Sequence, residues 1–175
     1  IEQQQHLHRV VALRHHPDIQ PAAVPGRRVD RVVEVELVGR TFARETAQAA
    51  QRHLYVAGAD LDVAVGASLN GAFFSTGQRC TASSRLIVTE GVHDAFLDKL
   101  TAAAADLVVG DPLDPKTQIG PVVDESQMEQ NQRYLALASE EGCDVRGGGL
   151  GNGNGFFMHP AIFAGATNAM RVSRE

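Results

Sequence analysis

Hydrophobic and polar positions follow a regular pattern from residue 54 onward. Residues 54–57 and 85–89 are short apolar runs, which is typical of strands. The predicted helices, in which apolar residues recur at helical spacing, are 61–74, 92–109 and 124–141. Asp60 is well placed as the N-cap of the first helix. Strands that alternate with helices predict an α/β fold with a parallel or mixed sheet.

Each predicted helix has one apolar face, which we expect to be buried. The first presents Leu61, Ala64, Val65, Leu69, Ala72 and Phe73. The second presents Val92, Phe96, Leu97, Leu100, Ala104 and Leu107. The third presents Met128, Tyr134, Leu135 and Ala138. These faces predict helices that pack on the sheet.

The first part of the chain, residues 1–53, has a different character. Residues 29–38 alternate loosely and predict a strand, whereas Pro17, Pro21 and Pro25 interrupt any helix, so the rest is expected to be an irregular lead-in. The histidines here are His6, His8, His15 and His16. No nearby cysteine or carboxylate completes a ligand set, so we expect solvent-exposed histidines and no metal site.

The glycine-rich stretch 147–155 resembles a phosphate-binding loop at first sight. It contains no G-x-G-x-x-G and no Gly-Lys-Ser/Thr, and the residues after it are strand-like rather than helical. Gly-Asn pairs supply the positive φ that tight turns need. The stretch therefore predicts a flexible hairpin connection.

Composition excludes several classes of protein. The 175 residues carry a net charge of -5 and are 43% hydrophobic, which argues against fibrous and disordered chains. No clustered basic face with aromatic residues indicates a nucleic-acid partner. No apolar stretch is long enough to cross a membrane, and no signal segment is recognisable, so a cytoplasmic location is expected.

The two cysteines are expected to be free thiols with different roles. Cys80 lies on a short polar turn between a predicted helix and a predicted strand, where a cation such as Arg79 would lower the thiol pKa and favour a nucleophilic thiolate. The alternative is that Cys80 is a small buried residue. Cys143 follows a helix end and is predicted to be a structural thiol.

Several segments resemble the NAD(P)-dependent aldehyde dehydrogenases. Residues 73–85, Phe-Phe-Ser-Thr-Gly-Gln-Arg-Cys-Thr-Ala-Ser-Ser-Arg, are similar to the catalytic cysteine segment of that family. Further blocks follow in the family's order at 109–112, 119–123, 141–149 and 168–175. The resemblance covers residues 54–175. The motifs are most similar to those of the branch that oxidises 2,5-dioxopentanoate.

The resemblance implies a partial aldehyde dehydrogenase catalytic domain and a mechanism. Cys80 would attack an aldehyde, NAD or NADP would accept hydride, and water would hydrolyse the resulting thioester. Arg79 and Thr81 correspond to positions that line the substrate pocket. An arginine there would favour an aldehyde that bears a carboxylate, or else be a surface arginine without a partner. A small-molecule aldehyde is the implied substrate, and a homo-oligomer is expected.

The sequence also departs from the family pattern. The family's Glu-Leu-Gly-Gly-Lys motif, whose glutamate activates water, aligns with residues 46–50, Thr-Ala-Gln-Ala-Ala, and Glu45 lies one position away. Glu175 matches only the first glutamate of the family's Glu-Glu-Ile-Phe-Gly-Pro block. Residues 1–53 match no family motif, as a shifted reading frame would produce. Two alternatives therefore remain: an inactive truncated or degenerate fragment without general base and cofactor site, and a thiol-reactive module without nicotinamide.

Overall fold

A computed structural model describes most of the chain beyond residue 60 and three strands before it. The described residues are 9–13, 32–38, 52–55, 60–79, 82–83 and 85–174. The strands are β1 Arg9–Leu13, β2 Val32–Val38, β3 Arg52–Tyr55, β4 Arg85–Thr89, β5 Asp144–Gly147 and β6 Ala161–Ala166. The helices are α1 Leu61–Ala72, α2 Glu90–Ala105, α3 Glu125–Glu140 and α4 Arg171–Arg174. The predicted α/β class is confirmed.

The described strands form one mixed sheet in the order β3-β4-β2-β1-β6-β5. β3 runs parallel to β4, and β1 runs parallel to β6. β2 is antiparallel to both of its neighbours, and β5 is antiparallel to β6. A parallel pair needs a crossover, and α1 is the connection between β3 and β4.

Helices α1 and α2 cover β4 and form the larger core. Leu86 and Val88 alternate along β4 and are fully buried against this layer. The predicted faces of α1 and α2 contribute Leu69, Phe96 and Leu100 to the same cluster. The packing of these apolar side chains holds the helices on the sheet, because short helices gain little stability on their own.

The beginning of α1 is fixed by the predicted N-cap. The Asp60 carboxylate accepts hydrogen bonds from the backbone N–H groups of Asp62 at 3.0 Å and Val63 at 3.2 Å. These are two of the donors that have no partner within a helix. Asp60 therefore sets where the helix starts.

Helix α2 ends earlier than the predicted boundary at residue 109. After Ala105 the backbone turns away, and Val108 accepts from the Gln118 N–H at 2.9 Å while Gly110 donates to Ile119 at 3.0 Å. These bonds replace the next helical turn. Leu107 stays buried outside the helix, which explains why the apolar spacing continued past its end.

Helix α3 has close to the predicted bounds, and Tyr134 and Leu135 of its predicted face pack against the buried cluster that contains Ala138. The Asp124 carboxylate accepts from the Gln127 N–H at 2.8 Å and caps the helix. Ala138 is buried as expected, but Met128, Tyr134 and Leu135 are only half-buried. Polar residues take the buried positions: the Gln127 side chain donates to that of Asn131 at 2.8 Å, and both are buried. A hydrophobicity pattern cannot reveal an internally bonded polar pair.

The glycine-rich stretch connects β5 to β6, which pair as an antiparallel hairpin. Leu150 bridges to Met158 within the connection. Gly147 has φ 74°. A Cβ atom there would lie 2.5 Å from the Pro160 carbonyl oxygen, so only glycine fits. The predicted hairpin connection is confirmed.

One expectation for the first fifty residues is wrong. Strand β2 lies within the predicted segment 29–38, but β1 occupies residues that we expected to be irregular. β1 pairs with β2 and with the distant β6. Val10, Val11, Ala12 and Leu13 form a short apolar run of the kind that predicts a strand, so a local signal was present, but the partners of β1 cannot be read from it. His6, His8, His15 and His16 lie outside the described residues.

Helix lengths and hydropathies bear on membrane insertion. Within the part of the chain that the structure describes, every helix is too short or too polar to cross a bilayer.

Two leucines are expected to differ strongly in their contribution to the free energy of unfolding. Leu100 is completely buried in the α1–α2 layer, whereas Leu113 is 89% exposed on a loop. We expect Leu100→Ala to lower the free energy of unfolding by about 2–5 kcal/mol, because it removes packed methyl groups and leaves a cavity. Leu113→Ala is the matched control and should change the same quantity by less than about 0.5 kcal/mol in urea unfolding. Equal losses would contradict the described core.

Candidate active site

The cysteine segment leaves α1 through a strained turn. Phe74–Gly77 forms a 3-10 turn in which Ser75 and Thr76 have left-handed φ angles of 55° and 57°. Gly77 follows with φ 63°. Serine and threonine rarely adopt this conformation, and such strain persists only where the surroundings impose it. The sequence predicted that the helix is broken by Gly77, but it gave no sign that left-handed backbone begins two residues earlier, at Ser75.

A neighbouring loop packs against this turn. A Cβ atom on Gly120 would lie 3.9 Å from the Thr76 hydroxyl oxygen and 3.8 Å from the Pro112 Cβ. The backbone of the loop therefore lies close to the turn. This contact helps to explain how the left-handed conformation is maintained.

Backbone hydrogen bonds anchor the described residues on both sides of the predicted nucleophile in the sequence. The Ala82 N–H donates to the Arg79 carbonyl at 3.0 Å, and the Ser83 N–H donates to the Gly71 carbonyl in α1 at 2.9 Å. Cys80 and Thr81 lie between these anchors in the sequence but outside the described residues. The flanking residues are therefore held close to the end of α1.

Arg79 is half-buried and has a partner. Its Nη2 donates to the Asn70 side-chain oxygen on α1 at 2.9 Å. Its Nε is buried and has no hydrogen-bond partner within the described part of the chain. The alternative of an unpartnered surface arginine is therefore wrong. Its position in a substrate pocket stays a prediction, as do the roles of Cys80 and Thr81.

A second arginine joins the cysteine segment to the far end of the chain. Arg85 opens β4, and its Nη2 donates to the Ser173 carbonyl oxygen in α4 at 2.7 Å. At the other end of α4, the Glu141 carboxylate accepts from the Arg171 N–H at 2.8 Å and the Val172 N–H at 3.0 Å. An anion at the first turn and a cation at the last both complement the helix dipole.

Cys143 is a buried free thiol, as predicted. Its Sγ lies 3.7 Å from the Met170 Sδ. Burial, with a smaller contribution from the nearby Glu141 charge, raises the pKa of the Cys143 thiol to about 11. A thiol with such a pKa stays protonated at neutral pH and is a poor nucleophile.

Sequence analysis missed the residues that support this site. Asn70, Ser173 and Glu141 are ordinary polar residues on helices or at helix ends, and only the fold brings them to the cysteine segment or to α4. Arg85 belongs to the cysteine motif, but its partner is 88 residues away. No local signal could have identified these pairs.

The comparison with known families is decisive. The profile of the aldehyde dehydrogenase family matches residues 40–175, and so begins upstream of residue 54. The chain belongs to the aldehyde dehydrogenase family.

Individual relatives agree with the assignment. A betaine aldehyde dehydrogenase from Mesorhizobium japonicum is 38% identical over 122 residues, which cover 67% of this chain and 25% of that protein. The mitochondrial aldehyde dehydrogenase of Homo sapiens is 32% identical over 168 residues, 94% of this chain and 32% of that protein. This chain thus spans about a quarter to a third of the length of these relatives.

Solved structures of the family share the fold. HpcC from Thermus thermophilus has a TM-score of 0.67 at 31% identity, over 72% of this chain and 26% of that one. The NAD+ complex of an aldehyde dehydrogenase from Bacillus cereus has a TM-score of 0.68 at 27% identity, with the same coverage of 72% and 26%. The family and the fold of the partial aldehyde dehydrogenase domain predicted from the motifs are therefore confirmed.

Removal of the Arg85–Ser173 hydrogen bond is expected to loosen α4 locally. In the aldehyde dehydrogenase chain, Arg85→Met should lower the free energy of unfolding by about 1.5–3 kcal/mol, because a charged donor is lost from a carbonyl. Amide hydrogen exchange in residues 167–174 should accelerate. Arg133→Met is the control: Arg133 makes an exposed pair with Glu129 at 3.6 Å, a kind of pair that contributes little. Unchanged exchange in Arg85→Met would contradict the linkage.

The raised pKa of Cys143 predicts a loss of stability at alkaline pH. Burial favours the neutral thiol of Cys143. The contribution of this thiol to the free energy of unfolding is therefore fully present below its ordinary pKa of 9.0 and is lost as the pH rises through about 11. Urea unfolding at pH values of about 8 and about 10 should show a larger decrease for the wild type than for Cys143→Ala. Equal decreases in the free energy of unfolding of the two proteins would contradict a raised pKa for the Cys143 thiol.

Proposed function

We propose that this chain supplies the nucleophile of an aldehyde dehydrogenase, and that Cys80 is that nucleophile. Residues 54–175 would form the partial catalytic domain that carries it. The observation that supports the proposal is that the described residues on both sides of Cys80 in the sequence are anchored by backbone bonds, one from Ala82 to Arg79 and one from Ser83 to Gly71. A nucleophile that attacks a carbonyl carbon in a defined direction needs anchored neighbours of this kind.

The chemistry divides the oxidation into two steps. The Cys80 thiolate forms a carbon–sulfur bond to the aldehyde carbon, and the carbonyl oxygen takes up a proton to give a thiohemiacetal. The thiohemiacetal carbon would give its hydride to bound NAD(P)+ as the hydroxyl proton leaves to water, which would yield a thioester on Cys80. Water then cleaves the thioester, so that the carboxylic acid leaves and the thiol is restored. Glu45, outside the described residues, is the candidate that would activate this water.

Two positions of the glycine-rich stretch, Gly148 and Gly155, do not fit a dinucleotide phosphate. A Cβ atom would lie 2.8 Å from the Leu135 side chain at Gly148 and 2.7 Å from the Phe157 ring at Gly155. No phosphate group could approach these two glycines as closely as a glycine cradle requires. The cofactor therefore remains a property of the family, in which an NAD+ complex has been solved.

The relatives and the motifs suggest different substrates. Several similar proteins are betaine aldehyde dehydrogenases, whose name denotes a cationic aldehyde. The cysteine motif is most similar to the branch that oxidises 2,5-dioxopentanoate, an anionic aldehyde. We propose 2,5-dioxopentanoate as the substrate, because Arg79 places a positive charge next to the nucleophile in the sequence. A homo-oligomer in the cytoplasm is the setting proposed for the reaction.

The proposal predicts turnover that depends on one cysteine only. The purified chain is incubated with 2,5-dioxopentanoate or betaine aldehyde and with NAD or NADP, and reduced nicotinamide is followed by absorbance. Wild type and the matched variant Cys143→Ala should form reduced nicotinamide. Cys80→Ala should lose at least about a thousandfold in rate, because the covalent step is removed.

A second measurement separates the alternatives when no turnover is seen. A p-nitrophenyl ester acylates a reactive thiol and releases nitrophenolate in a burst that needs no cofactor. A Cys80-dependent burst without turnover would indicate the thiol-reactive module. Neither burst nor turnover, with the chain folded by circular dichroism, would indicate the inactive fragment and overturn the proposal.

A further inference from the structure

Arg79 differs from the ion-paired cations of the described chain in the kind of acceptor it has. Arg146 donates to the carboxylates of Asp98 at 2.9 Å and Asp144 at 2.8 Å. Lys99 pairs with Asp62. Arg79 instead donates to the amide oxygen of Asn70.

The charge of Arg79 is therefore held without being neutralised. An amide oxygen orients a guanidinium group as a carboxylate does, but it carries no net charge. No carboxylate pairs with Arg79 within the described part of the chain. One Nη and the buried Nε are not used in the Asn70 bond. Donors of this kind on a planar guanidinium match a carboxylate.

We infer that Asn70 is a positioning residue that orients Arg79 without neutralising its charge, so that the site selects aldehydes bearing a carboxylate. The inference rests on the proposed function, since it takes Cys80 as the nucleophile. It adds that selectivity depends on the partner of Arg79 as well as on Arg79 itself. A cationic aldehyde would be repelled by the same charge.

Two alkylating reagents of similar size test the charge at Cys80 without cofactor or turnover. Iodoacetate carries a carboxylate and iodoacetamide is neutral, and both transfer a carbon to the thiolate with loss of iodide. The ratio of their rate constants at Cys80, measured by peptide mass spectrometry, reports the local charge. A change in the thiol pKa alters both rates together and leaves the ratio unchanged. The buried Cys143 is an internal reference.

The variants test separately the charge of Arg79 and its hydrogen bond to Asn70. Arg79→Met should lower the ratio about fivefold, the effect of one unit charge at short range near water. Asn70→Asp should lower it by a similar factor, because a carboxylate now neutralises the guanidinium at the same position. Asn70→Ala removes the bond that orients the guanidinium, so its ratio should fall toward that of Arg79→Met. Arg133→Met, on the exposed face of α3, should leave the ratio unchanged.

Two results would overturn the inference. An unchanged ratio in Arg79→Met would mean that the guanidinium does not act on the thiol, and an unchanged ratio in Asn70→Ala would mean that Asn70 does not position it. Asn70 is exposed, so its substitution should not unfold the chain, and circular dichroism checks this.

The same data distinguish this inference from the proposed function. Loss of nicotinamide turnover without loss of the reagent preference would overturn the proposed reaction alone. Turnover with no reagent preference would overturn only the role of Asn70 and Arg79.

Discussion

The complete burial of Leu86 and Val88 in β4 determines where the cysteine segment must enter the sheet. Helix α1 is held at the other side of the segment by its own buried face. Elements on both sides of the cysteine segment are therefore held by the core, and Ser75 and Thr76, shortly after α1, have left-handed angles. The apolar core thus anchors the two elements that flank the segment in the sequence.

The sequence predicted well whatever depends on neighbouring residues. The Asp60 cap, strand Arg85–Thr89, the bounds of α3 and the glycine hairpin all follow from patterns within a few residues. The pairing of β1 with β6 and the bond from Arg85 to Ser173 depend on contacts across the fold. Such contacts cannot be read from spacing, because their free energy arises only when distant segments meet. The Gln127–Asn131 pair is local, but both residues are polar, so the hydrophobic pattern did not mark them as buried.

Arg79 and Arg146 are both half-buried but have different kinds of acceptor. Arg146 lies between two carboxylates, so its charge is matched and its role is to join α2 to β5. The matched environment also raises the pKa of the Arg146 guanidinium above its ordinary value, mainly through its bond to Asp144. Arg79 has a neutral acceptor, so that bond does not neutralise its charge. The role that we propose for Arg79 therefore rests on its acceptor rather than on the residue type.

The contacts of α4 extend this argument to the end of the chain. A helix of four residues has no stability of its own, so its position depends on the groups that bind its ends. Glu141 binds one end and Arg85 the other, and Arg85 follows Cys80 closely in the sequence. A displacement of α4 would therefore be transmitted through Arg85 to the start of β4, because this bond joins the two elements.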